Sequence, residues 1–135
     1  MAATREAVEL EAVYPAQPPA IGRVRHDVIE AAKSCGAPES TLPQIQLAVS
    51  EAATNVVLHA YRDGLPRGDM RVVLRQVGDG IDVNICDDGV GMSPRGDSPG
   101  AGFGLGLMAH AADRCVITSA PGEGTDVLLR FELSR

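Results

Sequence analysis

Ile45, Val49, Ala52, Val56 and Ala60 recur at spacings of 4, 3, 4 and 4 residues, which places all five on one stripe of an α-helix. Thr41 and Gln44, three residues apart, have the spacing of a capping box and predict where that helix begins. A stripe of this kind packs on something flat, and the runs that follow supply a sheet. "MRVVLRQV" and "IDVNIC" are β-type runs joined by Gly78, Asp79 and Gly80, a hairpin signal, with Ile81, Val83 and Ile85 on one face. "TDVLLRFEL" alternates in the same way through Val127, Leu129, Phe131 and Leu133.

The remaining segments complete the plan. "AVELEAVYPA" (Ala7 to Ala16) predicts an edge strand ending at Pro15, and a helix is expected from about Ala20 to Ser34, stopped by Gly36 and Pro38. "LGLMAHAADR" predicts a short helix, "CVITSA" a strand, and "PGEG" the turn into the last strand. The order β α α β β loop α β β predicts an α/β (α+β) fold: a two-layer sandwich with the helices on one face of a mixed, mainly antiparallel sheet. At 135 residues, residues 1–135 are expected to form a single domain.

Composition excludes several classes. No apolar run approaches the roughly 20 residues that span a bilayer, and "MAATREAVEL" lacks the basic-then-apolar plan of a signal peptide, so a cytoplasmic protein without membrane contact is expected. A formal net charge of −6 and a pI near 4.9 speak against direct nucleic-acid binding, which needs clustered Lys and Arg. Cys35, Cys86 and Cys115 lack metal-ligand spacing and are expected as reduced, mostly buried thiols.

Seven of the fifteen glycines fall between Gly89 and Gly106. "GLGLMA" from Gly104 scans as a dinucleotide fingerprint, but the preceding "MSPRGDSPGA" is no buried strand, which that fingerprint requires. A Walker A lysine and a protein-kinase catalytic loop are also missing. The glycine density predicts a mobile lid over a nucleotide, from Met92 to Gly102.

Polar residues cluster at three further places. Glu51, Asn55 and His59 stand at i, i+4 and i+8 on the shoulder of the striped helix. An amide oxygen there can ligate Mg²⁺ and a carboxylate one turn away can accept a proton, although a solvated helix flank fits the spacing too. Asp87-x-Gly89-x-Gly91 follows a strand and offers an acceptor to a purine amine, or else forms a plain Asp-Gly turn. "GEGT" alone is only a turn entering a strand.

In sequence order these stretches resemble the four boxes of the Bergerat-type GHKL ATPases, the histidine-kinase-like ATPase domain, over about residues 46–131. Within that superfamily "SEAATNVVLHAY" and "GFGLGLMAHAADRCVI" are most similar to the anti-sigma factor serine/threonine kinases. The resemblance implies ATP and Mg²⁺ as cofactors. Asp87 would accept from the adenine amine, with Thr125 supporting it. Gly89 and Gly91 would line the base pocket, and Gly102, Gly104, Leu105 and Gly106 would meet the phosphates. Asn55 would ligate Mg²⁺ and Glu51 would act as base. The implied partners are a sigma factor, which the protein would sequester, and a STAS-domain anti-anti-sigma factor, which it would phosphorylate on serine. A homodimer is common in that family and stays open here. Two alternatives also stay open: a nucleotide-dependent interaction module with little or no kinase activity, and a histidine-kinase-type catalytic domain.

Overall fold

The computed structural model describes residues 6–61, 68–89, 105–119 and 122–133. Their order is β1 (Glu6–Pro15), α1 (Pro18–Ser34), α2 (Leu42–Asn55) continued by a π-helical turn (Val56–Ala60), β2 (Asp69–Val77), β3 (Gly80–Asp87), α3 (Leu105–Ala111), β4 (Arg114–Ser119) and β5 (Thr125–Glu132). The five strands form one sheet in the order β1-β2-β3-β5-β4, and every neighbouring pair is antiparallel. β1 lies at an edge, as expected from its weak alternation.

Strand register explains where the core is and where it ends. Leu10, Leu74, Val83, Leu129 and Cys115 oppose one another across the sheet, and so do Ala12, Val72, Ile85, Val127 and Ile117. Both rows face the helices, and Leu74, Val72, Val83, Ile85 and Leu129 are buried. Two residues further along the same face the row reads Tyr14, Met70, Asp87, Thr125 and Ser119. Chemistry on this face therefore changes from aliphatic to polar at one end of β3, β5 and β4.

The helical layer fits the aliphatic rows. Ile45, Val49, Ala52, Val56 and Ala60 are all buried, as the spacing predicts. Burying each large aliphatic side chain contributes about 1.5–3 kcal/mol. α1 buries Ala20, Val24, Val28 and Ala31, and is fastened by the Tyr14 hydroxyl donating to Asp27 (2.7 Å) and by Arg25 Nε donating to Ser50 Oγ (3.0 Å). It begins at Pro18, two residues before the expected start, because prolines fit the first helical turn, where no N–H needs a partner.

Two local features differ from expectation. Thr41 makes no side-chain capping bond: its backbone is already helical (φ −91°, ψ −22°), since a turn from Pro38 leads straight into α2. A capping side chain needs an extended backbone at that position. α3 stops at Ala111 rather than continuing through Arg114. Asp113 is drawn to β5, its N–H donating to the Arg130 carbonyl (2.8 Å) and its carboxylate accepting from Glu132 N–H (2.7 Å).

The sheet's other face carries the Arg71–Glu11 ion pair, Arg130 with Asp82 and Glu132, and the exposed valines Val8 and Val13. Among the described residues no helix is long and apolar enough to cross a membrane. The three cysteines are free and half-buried rather than mostly buried.

Candidate functional site at the polar end of the sheet

Asp87 is the last residue of β3, and Thr125, the first of β5, is its cross-strand partner. The Asp87 carboxylate accepts the Gly89 N–H at Oδ1 (2.8 Å) and the Thr125 N–H. Burial pushes its pKa above the usual carboxyl value, the two N–H groups oppose that shift, and the charge of Asp88 adds to it. Thr125 is buried, and its hydroxyl lies 3.1 Å from Ser119 Oγ. A cleft of about 250 Å³ at this end of the sheet is lined by Asp87, Ser119 and Thr125 together with Cys86, Thr118 and Asp126 of the adjacent row, which faces away from the helices.

Two glycines let other backbone approach Asp87. A Cβ on Gly124, at φ +80°, would lie 2.0 Å from the Asp87 carbonyl oxygen, and one on Gly89 would lie 2.0 Å from the Ala60 carbonyl oxygen. No side chain fits either gap. The Gly89 contact presses the Asp-x-Gly turn onto the π-helical turn that continues from Asn55. π-turns inside helices recur at functional sites because they shift the following side chains out of α-helical phase.

Tyr61 closes that junction. Its hydroxyl donates to the Asp69 carbonyl (2.7 Å) and accepts the Asp88 N–H (3.1 Å). Burial raises the phenol pKa, the Asp88 N–H acts against it, and the carboxylates of Asp87, Asp88 and Asp69 raise it further. Sequence reading assigned no role to Tyr61 or Ser119. Tyr61 acts on Asp69 and Asp88, contacts that residue spacing does not signal, whereas Ser119 reaches Gly124 and Thr125 across the expected β4–β5 turn, and its polar position at the strand end was the signal available.

Asn55 is buried at the end of α2, and Glu51 and His59 are half-buried on either side of it. Glu51 lies about 6 Å farther along the helix axis from Asn55, at 1.5 Å per residue. The structure thus joins the helix end after Asn55 to the strand end at Asp87 and keeps Glu51 one turn away. Leu105 begins α3, and a Cβ on Gly106 would meet nothing within 4 Å. Gly91, Gly102, Gly104 and the expected lid, Met92 to Gly102, lie outside the described residues.

A second cleft, about 420 Å³, also borders Asp87, together with Asp69, Asp88 and Arg71. A larger one, about 510 Å³, lies at the opposite end of the sheet and includes Arg130. That guanidinium already donates to the Val77 carbonyl, Asp82 and Glu132, which makes the cluster structural. Cys86 borders the Asp87 cleft, and burial and its hydrogen bond to Asp126 push the thiol up to about 12, which disfavours the thiolate form.

Known proteins share this fold. A family model described as the histidine kinase-like ATPase domain matches residues 14–131. The chain is 32% identical over 97 residues to the anti-sigma F factor of Pasteuria penetrans, covering 64% of this chain and 65% of that protein. It is 31% identical over 80 residues to the serine-protein kinase RsbW of Bacillus subtilis, covering 59% of this chain and 49% of that protein. The match therefore spans less than two thirds of either relative. Among solved structures, the RsbU and RsbW domains of a Mycobacterium tuberculosis protein share the fold, with a TM-score of 0.73 at 24% identity over 93% of this chain and 32% of that one.

Proposed function

Because the chain belongs to the histidine kinase-like ATPase domain family, we propose that it is an ATP-dependent serine protein kinase and anti-sigma factor. It phosphorylates a STAS-domain anti-anti-sigma partner and sequesters a sigma factor. The observation that carries this reading is the Asp87–Thr125 pair at the polar end of the sheet, pressed through Gly89 against the helix end that follows Asn55. The names of the relatives, an anti-sigma F factor and a serine-protein kinase, support the activity.

The residues present fit ATP and Mg²⁺. Asp87 keeps acceptor capacity beyond its two backbone N–H donors, which suits a purine amine. Among the described residues no group of three His, Cys, Asp or Glu could hold a metal by itself. A single amide oxygen from Asn55 is the kind of ligand set Mg²⁺ takes when it keeps waters and shares phosphate oxygens. The ion, when bound, neutralises phosphate charge during transfer.

Within this chain Asp87 would orient the base, the glycines at 89 and 124 let the Ala60 and Asp87 backbone close up around that end of the sheet, and Asn55 would hold the metal from the helix end. Glu51 takes the proton from the partner's serine hydroxyl as the serine oxygen bonds to the γ-phosphorus and the bond from that phosphorus to the β–γ bridging oxygen breaks, releasing ADP. By the family resemblance Gly102, Gly104, Leu105 and Gly106 would meet the phosphates and Gly91 the base. The test is incubation with labelled ATP, alone and with STAS-domain proteins. Label on a partner serine is expected. Label on a histidine of this chain overturns the reading in favour of a histidine-kinase-type domain.

A further inference from the structure

Ser119 Oγ donates to the Gly124 carbonyl (3.2 Å) and lies 3.1 Å from Thr125 Oγ1. A carbonyl has no proton to give, and a serine hydroxyl has one. With that proton spent on Gly124, the contact with Thr125 must use the threonine's proton, and Thr125 is left with only lone pairs to present elsewhere. Asp87, its cross-strand neighbour, is likewise an acceptor. The edge formed by Asp87 and Thr125 therefore accepts hydrogen bonds and donates none from its side chains.

We propose, resting on the ATP-site reading above, that Ser119 is a positioning residue for base selection: it fixes the Thr125 hydroxyl as an acceptor, so that the site takes a purine with an amine at carbon 6 and rejects one with a carbonyl there. Without the Ser119 hydroxyl, Thr125 rotates and offers its proton to a carbonyl oxygen. Selection against a 6-oxo purine then weakens although Asp87 is untouched.

The experiment compares ATP with inosine triphosphate, which carries a carbonyl in place of the amine. Affinities are measured by calorimetry with Mg²⁺ for the parent, Ser119→Ala, Thr125→Val and the double variant, with thermal unfolding as the check on folding. Ser119→Ala is expected to narrow the preference for ATP by about three- to tenfold, the usual worth of one neutral hydrogen bond. It should narrow it no further in the Thr125→Val background, because the effect passes through Thr125. Ser119→Thr, which keeps the hydroxyl, should retain the parent's preference. An unchanged preference in folded Ser119→Ala, or equal narrowing with and without Thr125, overturns the role of Ser119. A parent that binds both nucleotides equally overturns base selection alone, and one that binds neither overturns the ATP-site reading itself. Should Ser119→Ala not fold, Ser119→Cys, with its weak donor, carries the same expectation.

Discussion

The hydroxyl of Tyr61 accepts the backbone N–H of Asp88 at 3.1 Å and donates to the Asp69 carbonyl at 2.7 Å, which ties the end of the α2 segment to the start of β2 and to the end of β3, the strand that carries Asp87. Tyr61→Phe keeps the ring that fills the space beside Gly68 and removes both bonds. The variant should fold with a loss of about 0.5–1.5 kcal/mol per bond at most. ATP affinity should fall severalfold, since the turn bearing Gly89 loses its anchor. Chemical unfolding and calorimetry on the same samples measure the two effects.

Asp87→Asn should abolish most ATP binding, about ten- to a hundredfold, because a charged acceptor is replaced by an amide that also presents donors. The same variant gives a pH signature without ligand. Burial raises the pKa of Asp87 in the folded state, so the neutral carboxyl favours folding. That contribution is fully present below the ordinary value of 3.8 and is lost as pH rises through the folded-state value. The stability of the parent relative to Asp87→Asn should therefore be greatest at the acid end and decline upward from about that pH. Urea midpoints measured across pH 3–7 check this, and a parent that gains on the variant with rising pH contradicts it.

The glycines separate packing from ligand contact. Gly89→Ala and Gly124→Ala each drive a methyl group into a backbone carbonyl 2.0 Å away, and each should cost about 1–3 kcal/mol. Gly124→Ala is the worse of the two because its φ of +80° is also strained. A Cβ on Gly106 meets nothing, so Gly106→Ala should leave stability unchanged or raise it by up to about 1 kcal/mol. A drop in ATP affinity for that variant alone would then report contact with phosphate rather than a damaged fold.

Legibility from sequence followed the range of the interaction. The stripe from Ile45 to Ala60 and the alternation of Ile81, Val83 and Ile85 are local periodicities, and burial matches them. The Thr41 cap failed because the turn from Pro38 sets the backbone before the side chain can act. The π-turn after Asn55 has no period of its own to read. Asp87 and Thr125 could each be picked out as polar residues at strand ends. Their pairing required the register of β3 against β5, which joins segments far apart in sequence and leaves no trace in local spacing, and the reach of Tyr61 to Asp88 is nonlocal in the same way.

Asn55 and Glu51 share a helix but are assigned different tasks, and two substitutions separate them. Asn55 is buried where α2 meets the π-turn. Asn55→Ala should weaken ATP·Mg²⁺ while leaving metal-free nucleotide less affected, since only the metal ligand is lost. Glu51, half-buried one turn earlier, would touch the reaction only through the serine proton. Glu51→Gln keeps the side chain's shape, so ATP and sigma-factor affinities should stay within a few-fold. Transfer to the STAS partner should slow by about 10² to 10⁴, the usual worth of a positioned general base. Single-turnover transfer with the variant and parent pre-loaded with ATP isolates that step from binding. Transfer at the parent rate would remove Glu51 as the base. A parent that binds ATP and a sigma factor yet transfers no phosphate to any STAS-domain protein would leave the fold as a nucleotide-dependent interaction module.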